Sequence, residues 1–429
     1  MSALSSLSGL KMANALNVYF NAALSGVLRE EGGRLYFHYA SAWLDSPNFV
    51  PLSISLSPSP NEHGDEVVRP FFENLLPEGE IRSAVARLKQ VSEKNTFGLL
   101  EEIGGDCAGA ISLLLPESPP PGSGEYDPLE DRHLNEMLHS LEKRPLIAAA
   151  NDELRLSLAG AQHKLPVLVK DGALFLGRAN APSSHILKPN IAGFANSTIN
   201  EFFCMTLADK VGLPVPKISL LRRPETVYLV ERYDRVRVGE QLTRLHQIDF
   251  CQALNLPPSK KYEKEGGPSY NNCFAILRKY CREPAKDVQN LISWAVFNYL
   301  IGNSDAHGKN ISLLMIPAGV QLAPFYDLLC TAVYPGLTHN LALKIGGESR
   351  PDWIQLRHWG NFADAAGVNK RYIASVCKAL ATRLQSKVCD ADISKNLSTE
   401  EKQFVEEISS VVADRSARLL RIFANHKGP

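Results

Sequence analysis

The chain has 429 residues, of which 45% are hydrophobic and 21% charged, enough for two or three domains with buried cores. Lys plus Arg equals Asp plus Glu at 46 each, so bulk charge argues against DNA binding, although a local basic patch stays open. No apolar run reaches the roughly 18 residues of a membrane helix, and the start lacks a signal-peptide pattern. Eight scattered cysteines with no C-x-x-C pair are typical of buried thiols in a reducing compartment, so we expect a cytoplasmic protein.

The first part of the chain predicts a small unit of strands with one helix. We interpret residues 1–16 as an N-terminal extension, with its disorder left open, and 17–126 as the unit itself. Its end is marked by a Pro/Gly/Ser cluster at 116–124. The predicted elements are strands at Leu16–Phe20, Gly33–Tyr39, Leu52–Leu56 and Ala108–Leu115, and a helix from Phe71 to Leu88.

The next unit, 127–235, predicts a mixed sheet with two helices. Asp171-Gly172 is typical of a hairpin turn, and Gly212 is the expected stop of the second helix. The predicted strands are Leu154–Leu158, Lys164–Val169, Leu174–Leu176, His185–Lys188, Ile218–Leu221 and Val227–Val230, and the helices are Leu134–Leu141 and Asn196–Val211.

The last unit, 236–429, predicts mostly helix. Its pattern begins at Ile248–Leu254, and helical spacing from Val288 to Tyr299 ends at Gly302. A hairpin is predicted at 312–323, and a capped helix at Ser398–Phe423 closes the chain. The fold class is therefore α+β.

Asp305 and Asn310 form the strongest chemical signal. They lie in the stretch Gly302–Asn310, before a short strand pattern. An acid followed five residues later by Asn is the spacing of a kinase catalytic loop. There the acid orients or deprotonates the acceptor hydroxyl, and the amide oxygen binds Mg²⁺. The alternative is that a run rich in Gly, Asn, Ser and Asp is only a turn.

Three further residues would complete a site for phosphoryl transfer. Asp327 would be a second Mg²⁺ ligand, Lys188 would neutralise ATP phosphates, and Glu201 would pair with Lys188 from the following helix. Each also has an ordinary interpretation. Asp327 fits a helix N-cap, while the other two fit a surface lysine and a solvated helix face.

Two loops would hold the nucleotide. The segment from Ser157 to Lys164 could approach phosphate through the backbone around Gly160, with Lys164 adding positive charge. It holds one glycine rather than a G-x-G-x-x-G pattern, so an ordinary hairpin stays open. Val230–Arg235 ends a strand and would form the adenine hinge, or else an exposed charged turn.

These pieces together resemble the HipA family of bacterial toxin serine/threonine kinases over nearly the whole chain. The motifs that carry the resemblance are Pro51–Leu56, Phe71–Pro77, Ser157–Lys164, His185–Lys188, Asn200–Cys204, Glu231–Arg235, Asp249–Gln252, Lys261–Glu263, Gly266–Pro268, Asp305–Asn310 and Phe325–Asp327. The resemblance implies a two-lobed kinase-like fold. Its mixed α/β N-lobe would carry an extra N-terminal subdomain, and its C-lobe would be mostly helical.

The resemblance also implies ATP and Mg²⁺ as cofactors and gives each matching position a role. Asp305 would be catalytic, Asn310 and Asp327 metal ligands, Glu201 a supporting residue, and Ser157 the site of autophosphorylation. The residues implied in ATP binding are Ala159, Gly160, Ala161, Gln162, His163, Lys164, Lys188, Glu231, Tyr233, His307, Lys309 and Asn310.

The implied partners are a HipB-like helix-turn-helix antitoxin, which would supply the DNA contact, and a protein substrate. An aminoacyl-tRNA synthetase is the candidate substrate, and no membrane partner is expected. Two other functions stay open: a catalytically silent partner that stabilises a repressor–DNA complex, and a small-molecule kinase. Retention of Lys188, Asp305, Asn310 and Asp327 favours an active enzyme over the silent partner.

Overall fold

Three packed units make up the structure. It is a computed structural model that describes residues 14–121, 125–140, 162–178, 181–223, 225–239, 241–390 and 395–424. Among these residues, no helix is both long and apolar enough to cross a membrane.

The N-terminal unit is an antiparallel sheet with helices packed against it. Its strands are β1 Ala15–Phe20, β2 Ala23–Glu31, β3 Arg34–Tyr39 and β4 Ile111–Leu114, and its helices are α1 Ser41–Leu44, α2 Asp65–Glu73, α3 Gly79–Leu88 and α4 Thr96–Ile103. The strand order is β3-β2-β1-β4. Buried rings fill the space between sheet and helices, with the Phe37 ring centre 5.8 Å from that of Phe72. The strands predicted for β1, β3 and β4 are confirmed, whereas β2 was not predicted.

Two predictions for this unit are wrong. Leu52 and Leu56 are fully buried, but the backbone between them is irregular rather than a strand. The Tyr39 hydroxyl accepts the Leu52 N–H and donates to the Leu56 carbonyl, both at 2.9 Å, and so replaces a strand ladder. The single helix predicted from Phe71 is instead split into α2 and α3, because Pro77 lacks the N–H that a continuing helix requires.

The middle unit is a six-stranded sheet in which every pairing is antiparallel. Its strands are β5 Glu125–Pro128, β6 Leu165–Lys170, β7 Ala173–Arg178, β8 His185–Lys188, β9 Ile218–Arg222 and β10 Thr226–Glu231, and its helices are α5 Asp131–His139 and α6 Ser197–Lys210. The strand order is β5-β7-β6-β8-β10-β9. The predicted boundary between the first two units, at residue 126, falls inside strand β5. Asp171 and Gly172 have φ of 51° and 77°, as a tight hairpin turn requires, which confirms that prediction.

The two faces of this sheet contribute to different cores. Along β10, Val227 and Leu229 belong to a small core with α5, while Tyr228 and Val230 belong to the main core with α6. Side chains of a strand alternate between faces, so this one strand divides the two cores. The main core continues without a break into the N-terminal unit and the helical region.

The C-terminal unit joins two small sheets to a helical bundle. Its strands are β11 Arg235–Val238, β12 Gln241–Arg244, β13 His246–Asp249, β14 Ser312–Ile316 and β15 Gly319–Leu322, and its helices are α7 Phe250–Ala253, α8 Tyr270–Tyr280, α9 Pro284–Ile301, α10 Leu356–Ala366, α11 Lys370–Lys387 and α12 Thr399–Ala424. Helix α9 ends at Gly302, whose φ of 74° suits glycine, and this confirms the predicted stop. The Ser398 cap is also present, since its hydroxyl accepts the Glu401 N–H at 3.2 Å.

The helix predicted at Ile248–Leu254 is wrong in its first two residues. Ile248 and Asp249 belong to β13, which pairs with β14. Asp249 then caps α7, accepting the Gln252 N–H at 2.8 Å. The cap explains why strand changes to helix at this residue.

His246 predicts acid sensitivity of the fold. It is 1% exposed, its Nε2 lies 2.7 Å from the Leu52 carbonyl, and burial lowers its pKa to about 4. A depressed folded-state pKa gives stability that is present above the unfolded value near 6.5 and is lost as pH falls toward 4. We expect His246→Gln to remove a loss on the order of 3 kcal/mol across this window.

Urea unfolding at a series of pH values measures this effect, with His38→Gln at an exposed site on β3 as the matched control. If the free energy of unfolding of His246→Gln falls with decreasing pH as steeply as that of wild type, other groups cause the loss of stability.

Candidate active site

A cavity of about 440 Å³ lies where the three units meet, and it gathers most of the predicted site residues. The predicted residues that line it are Gln162, Lys164, Lys188, Glu201, Glu231, Tyr233, Asp305, His307, Lys309, Asn310 and Asp327. His163 is placed beside them in the chain and is half-buried, but does not line the cavity. Ser157, Ala159, Gly160 and Ala161 lie outside the described residues.

Lys188 joins two carboxylates in the wall of the cavity. It lies at the end of β8, and its ammonium contacts Glu201 of α6 at 2.6 Å and also pairs with Asp327. Lys188 and Glu201 are 4% and 5% exposed, so neither is the surface residue of the ordinary interpretation. One buried cation is therefore shared by two acids.

The pKa values of this triad are set by burial first and then by the charges of its members. Burial raises the pKa of Glu201 to about 7, against the opposing effect of Lys188. Burial also acts to raise the pKa of Asp327, but Lys188 and then Lys164 hold it well below its usual range. Burial lowers the pKa of Lys188, and the two acids outweigh this and keep it raised. Asp327 is thus the acid that stays ionised.

The backbone presents Asp327 in an uncommon conformation. Its φ is 55°, in the left-handed region that non-glycine residues seldom adopt. Strain of this kind persists where the surroundings hold it, and such positions cluster at functional sites. Helix capping, the ordinary interpretation of Asp327, does not apply, since no helix follows it directly.

Asp305 is fixed by hydrogen bonds from the end of α9. Asn303 accepts the Asp305 N–H at 2.9 Å and donates to Asn298 at 2.8 Å. The side-chain amide of Asn310 donates a hydrogen bond to the backbone carbonyl of Asp305 at 3.0 Å. These hydrogen bonds hold the loop in one conformation. Asp305 and Asn310 line the same cavity as Lys188, Glu201 and Asp327.

Tyr262 contacts Asp305 directly, and the sequence did not assign it a role. Its hydroxyl donates to Asp305 Oδ1 at 2.5 Å, and its ring meets the edge of His307 with centres 5.1 Å apart. The only sequence signal was its place in the motif Lys261–Glu263. No periodicity or spacing links residues 43 positions apart.

Lys309 binds protein groups from other units. Its ammonium donates to Asn74 Oδ1 and to Asp249 Oδ2, both at 2.8 Å, and lies 3.8 Å from Glu78. Asn74 and Glu78 belong to the N-terminal unit, between α2 and α3. Through these contacts Lys309 ties the stretch Gly302–Asn310 to that unit.

His307 lines the cavity near Asp327. It is 6% exposed, and burial lowers its pKa, which favours the neutral ring. Its Nδ1 has no hydrogen-bond partner among the described residues. A buried polar atom of this kind is available to a ligand.

The predicted hinge contributes to the wall of the cavity and contains a network of buried charges. Glu231 and Tyr233 line the cavity, and the Tyr233 ring stacks on Tyr326 at 5.5 Å between centres. Between them, Arg232 pairs with Asp234 at 2.9 Å and lies 3.7 Å from Asp106. Because Asp106 is fully buried in the N-terminal unit, the hinge is fixed from that unit and is not an exposed turn.

The cavity suits a nucleotide with a divalent cation. Apolar side chains such as Ile186 and Val230 line one part, and the lysines Lys164 and Lys188 line the other. Asp327 and Asn310 offer hard oxygen donors, and no cluster of three or more potential ligand residues occurs in the described ranges. Mg²⁺ commonly takes one or two protein ligands plus water and phosphate, so this sparse set fits it.

Comparison with protein families gives a match over most of the chain. Residues 16–114 match the HipA N-terminal domain, and residues 156–388 match the HipA-like C-terminal domain. The chain belongs to the HipA family.

HipA relatives and a solved HipA structure agree with this placement. The Serine/threonine-protein kinase toxin HipA of Shewanella oneidensis is 31% identical over 403 residues, covering 89% of this chain and 90% of that protein. The protein Y4mE of Sinorhizobium fredii is 43% identical over 363 residues, 82% of this chain and 86% of its own. The structure of the Shewanella oneidensis toxin–antitoxin system HipA, HipB and operator DNA complex matches with a TM-score of 0.81 and 29% identity, over 95% and 98% of the chains.

These matches confirm three of the predictions made from sequence. The chain has the two-lobed, kinase-like α+β fold, it is a HipA-family protein, and it is a serine/threonine kinase.

Proposed function

We propose that this HipA-family kinase transfers the γ-phosphate of ATP to a serine of a translation-related protein and is the toxin of a toxin–antitoxin pair. An aminoacyl-tRNA synthetase is the candidate substrate, and the cytoplasm is the expected compartment. The carrying observation is that Lys188, Glu201, Asp327, Asn310 and Asp305 line one cavity. These residues occur in kinase order along the chain.

Each residue has a role that follows from its place. ATP and Mg²⁺ supply the phosphoryl group and its charge compensation when bound. Lys188 would contact phosphate oxygens while Glu201 holds it in position, and Asp327 and Asn310 would hold the cation. Asp305 would orient the acceptor hydroxyl and accept its proton.

Ser157 is proposed as the point of control. A phosphate there would add about −1.5 to −2 charge to the predicted phosphate loop. That charge would compete with the phosphates of ATP for Lys164 and Lys188, so modification is expected to silence the enzyme. Retention of full ATP turnover in Ser157→Asp would refute this control.

The partner is proposed to be a HipB-like helix-turn-helix antitoxin that supplies the DNA contact. The zero net charge of this chain is consistent with a complex in which the antitoxin, and not the kinase, binds the DNA. The HipA structure that this chain resembles contains HipB and operator DNA. Co-expression with a HipB-like antitoxin, followed by an operator-binding assay, tests this; DNA binding by the kinase alone would oppose it.

Incubation with MgATP, followed by intact mass and mapping of the modified residue, tests the kinase function. We expect one added phosphate at Ser157, and transfer to an added synthetase. A chain that hydrolyses no ATP and gains no mass would fit the catalytically silent alternative instead.

Tyr262→Phe is expected to lower kcat by about tenfold. The substitution removes one hydrogen bond to the charged Asp305, a contact of this type being worth about 1.5 kcal/mol. The KM for ATP should stay unchanged, because Tyr262 does not line the nucleotide cavity. Steady-state kinetics measure both constants, and Tyr280→Phe, at an exposed tyrosine, is the matched control. Equal kcat values in the two variants would remove Tyr262 from the mechanism.

A further inference from the structure

A second cavity of about 580 Å³ opens beside the first, and the two meet at Asp305. Five residues line both cavities: Ile191, Phe194, Ser197, Asp305 and Leu329. We call the second cavity the groove. The carboxylate of Asp305 is therefore reached from the nucleotide side and from the groove side. Such a boundary is where an acceptor hydroxyl must lie for in-line transfer.

The groove has an apolar wall of large side chains. Ile191 and Phe194 come from the segment before α6, and Tyr334, Leu337 and Leu341 come from the chain after Asp327. Phe194 and Tyr334 meet edge to face with ring centres 5.1 Å apart. An apolar side chain of a bound substrate would gain free energy by packing against this wall and leaving water. A small polar acceptor has no apolar side chain and would gain nothing from it.

The wall is built by hydrogen bonds and does not need to form on binding. The Tyr334 hydroxyl donates to the Ala195 carbonyl and accepts from Asn200, both at 3.2 Å. The Leu341 N–H donates to the Ser349 carbonyl at 2.8 Å, which closes the loop on itself. These bonds fix both ends of the apolar wall, as in a preformed binding site.

The same loop is tied to the segment that carries Tyr262. The Lys344 N–H donates to the Glu263 carboxylate at 2.6 Å, and the Glu263 N–H donates to the Ala342 carbonyl at 3.2 Å. Tyr262 in turn donates to Asp305. The apolar wall and the catalytic carboxylate therefore hold a fixed separation.

The rim of the groove is rich in hydrogen-bond donors. Lys264, Thr338, Asn340 and Lys344 line it, and in the described part of the chain neither lysine ammonium lies within 4.0 Å of a carboxylate. Asp305 is the one acid among the described lining residues. Donors around an apolar wall match an extended peptide, whose carbonyls need partners and whose alternate side chains need a pocket.

We propose that the groove is the acceptor site and takes an extended segment of a substrate protein with a large apolar side chain beside the serine. The proposal rests on the kinase function proposed above. The hydroxyl of the segment would reach Asp305 Oδ1, where the Tyr262 hydroxyl already donates, and the apolar neighbour would lie against Leu337 and Phe194. Specificity then comes from one buried side chain next to the acceptor.

Matched serine peptides test the proposal, with Leu or Phe in one set and Ala or Asp in the other at the positions flanking the serine. Transfer from MgATP is measured by mass for wild type and for Leu337→Asp, with Leu24→Asp, at an exposed leucine of the N-terminal sheet, as control. We expect kcat/KM to be about tenfold or more higher for the apolar peptides. Leu337→Asp should remove that preference, and Leu24→Asp should keep it.

Four other outcomes overturn the proposal. They are equal rates for both peptide sets, preference unchanged in Leu337→Asp, free serine used as well as the peptides, and no peptide phosphorylated while Ser157 gains phosphate. If Leu337→Asp slows only the phosphorylation of Ser157, and that reaction is first order in enzyme, the groove binds a segment of the same chain and not a substrate protein. Failure of the kinase function itself is distinct, because wild type would then transfer phosphate to no acceptor, Ser157 included.

Discussion

Asp305→Asn is expected to lower kcat for phosphoryl transfer by about 10²- to 10⁴-fold, the usual effect of losing a positioned general base. The amide is nearly isosteric and can keep the bond to Tyr262, with the tyrosine hydroxyl donating to the amide oxygen. The fold and nucleotide binding should therefore be retained. Because the carboxylate is lost, the acceptor hydroxyl would have no base to take its proton.

Mass-based transfer assays and titration with a fluorescent nucleotide measure the two effects separately. Asp364→Asn on α10, at an exposed position, is the matched control. A variant that transfers phosphate at the wild-type rate would show that another group accepts the proton. Loss of nucleotide binding would instead give Asp305 a role in ATP binding.

Lys188→Met is expected to abolish transfer and also to destabilise the fold by about 3 to 5 kcal/mol. Removing the cation leaves the buried Glu201 and the partly exposed Asp327 without Lys188, and the loss of one member of a buried ion pair such as Lys188–Glu201 is costly. The double variant Lys188→Met/Glu201→Gln should recover much of the stability and none of the activity. One negative charge then remains in place of two.

Urea unfolding and transfer assays on the same preparations separate the two losses. Lys170→Met, at the exposed end of β6, is the matched control. If Lys188→Met alone were as stable as wild type, Glu201 and Asp327 would have to become protonated without any loss of folding free energy. Activity regained in the double variant would remove Lys188 from catalysis.

The sequence predicted elements with strong local signals. Strand β8 and helix α6 are present within one residue of the predicted bounds, and α9 ends at the predicted stop but begins at Pro284, ahead of the pattern predicted from Val288. The order of motifs also brought Lys188, Glu201, Asp305, Asn310 and Asp327 to one cavity. A motif order carries tertiary information because each piece has a fixed place on the kinase-like fold.

The features that were missed depend on contacts between distant parts of the chain. The hydroxyl of Tyr39 replaces a predicted strand at Leu52–Leu56, and no local pattern shows this. Arg232 contacts Asp106 across 126 positions, so the sequence left both a hinge and an exposed turn open for this motif. Lys309 lines the cavity as predicted, but its contacts with Asn74 and Asp249 have no local sequence signal.

The contacts of Lys309 and Asp106 have a consequence for how the protein can be divided. The N-terminal unit holds the catalytic loop through Asn74, and it holds the hinge through Asp106, whose partners are Arg232, Arg235 and Arg244. A chain cut near residue 122 would leave a C-terminal fragment whose arginines lack Asp106 and whose Lys309 lacks Asn74. The two fragments would each be inert and would have to reassemble to work, which makes this boundary a natural place for a split reporter.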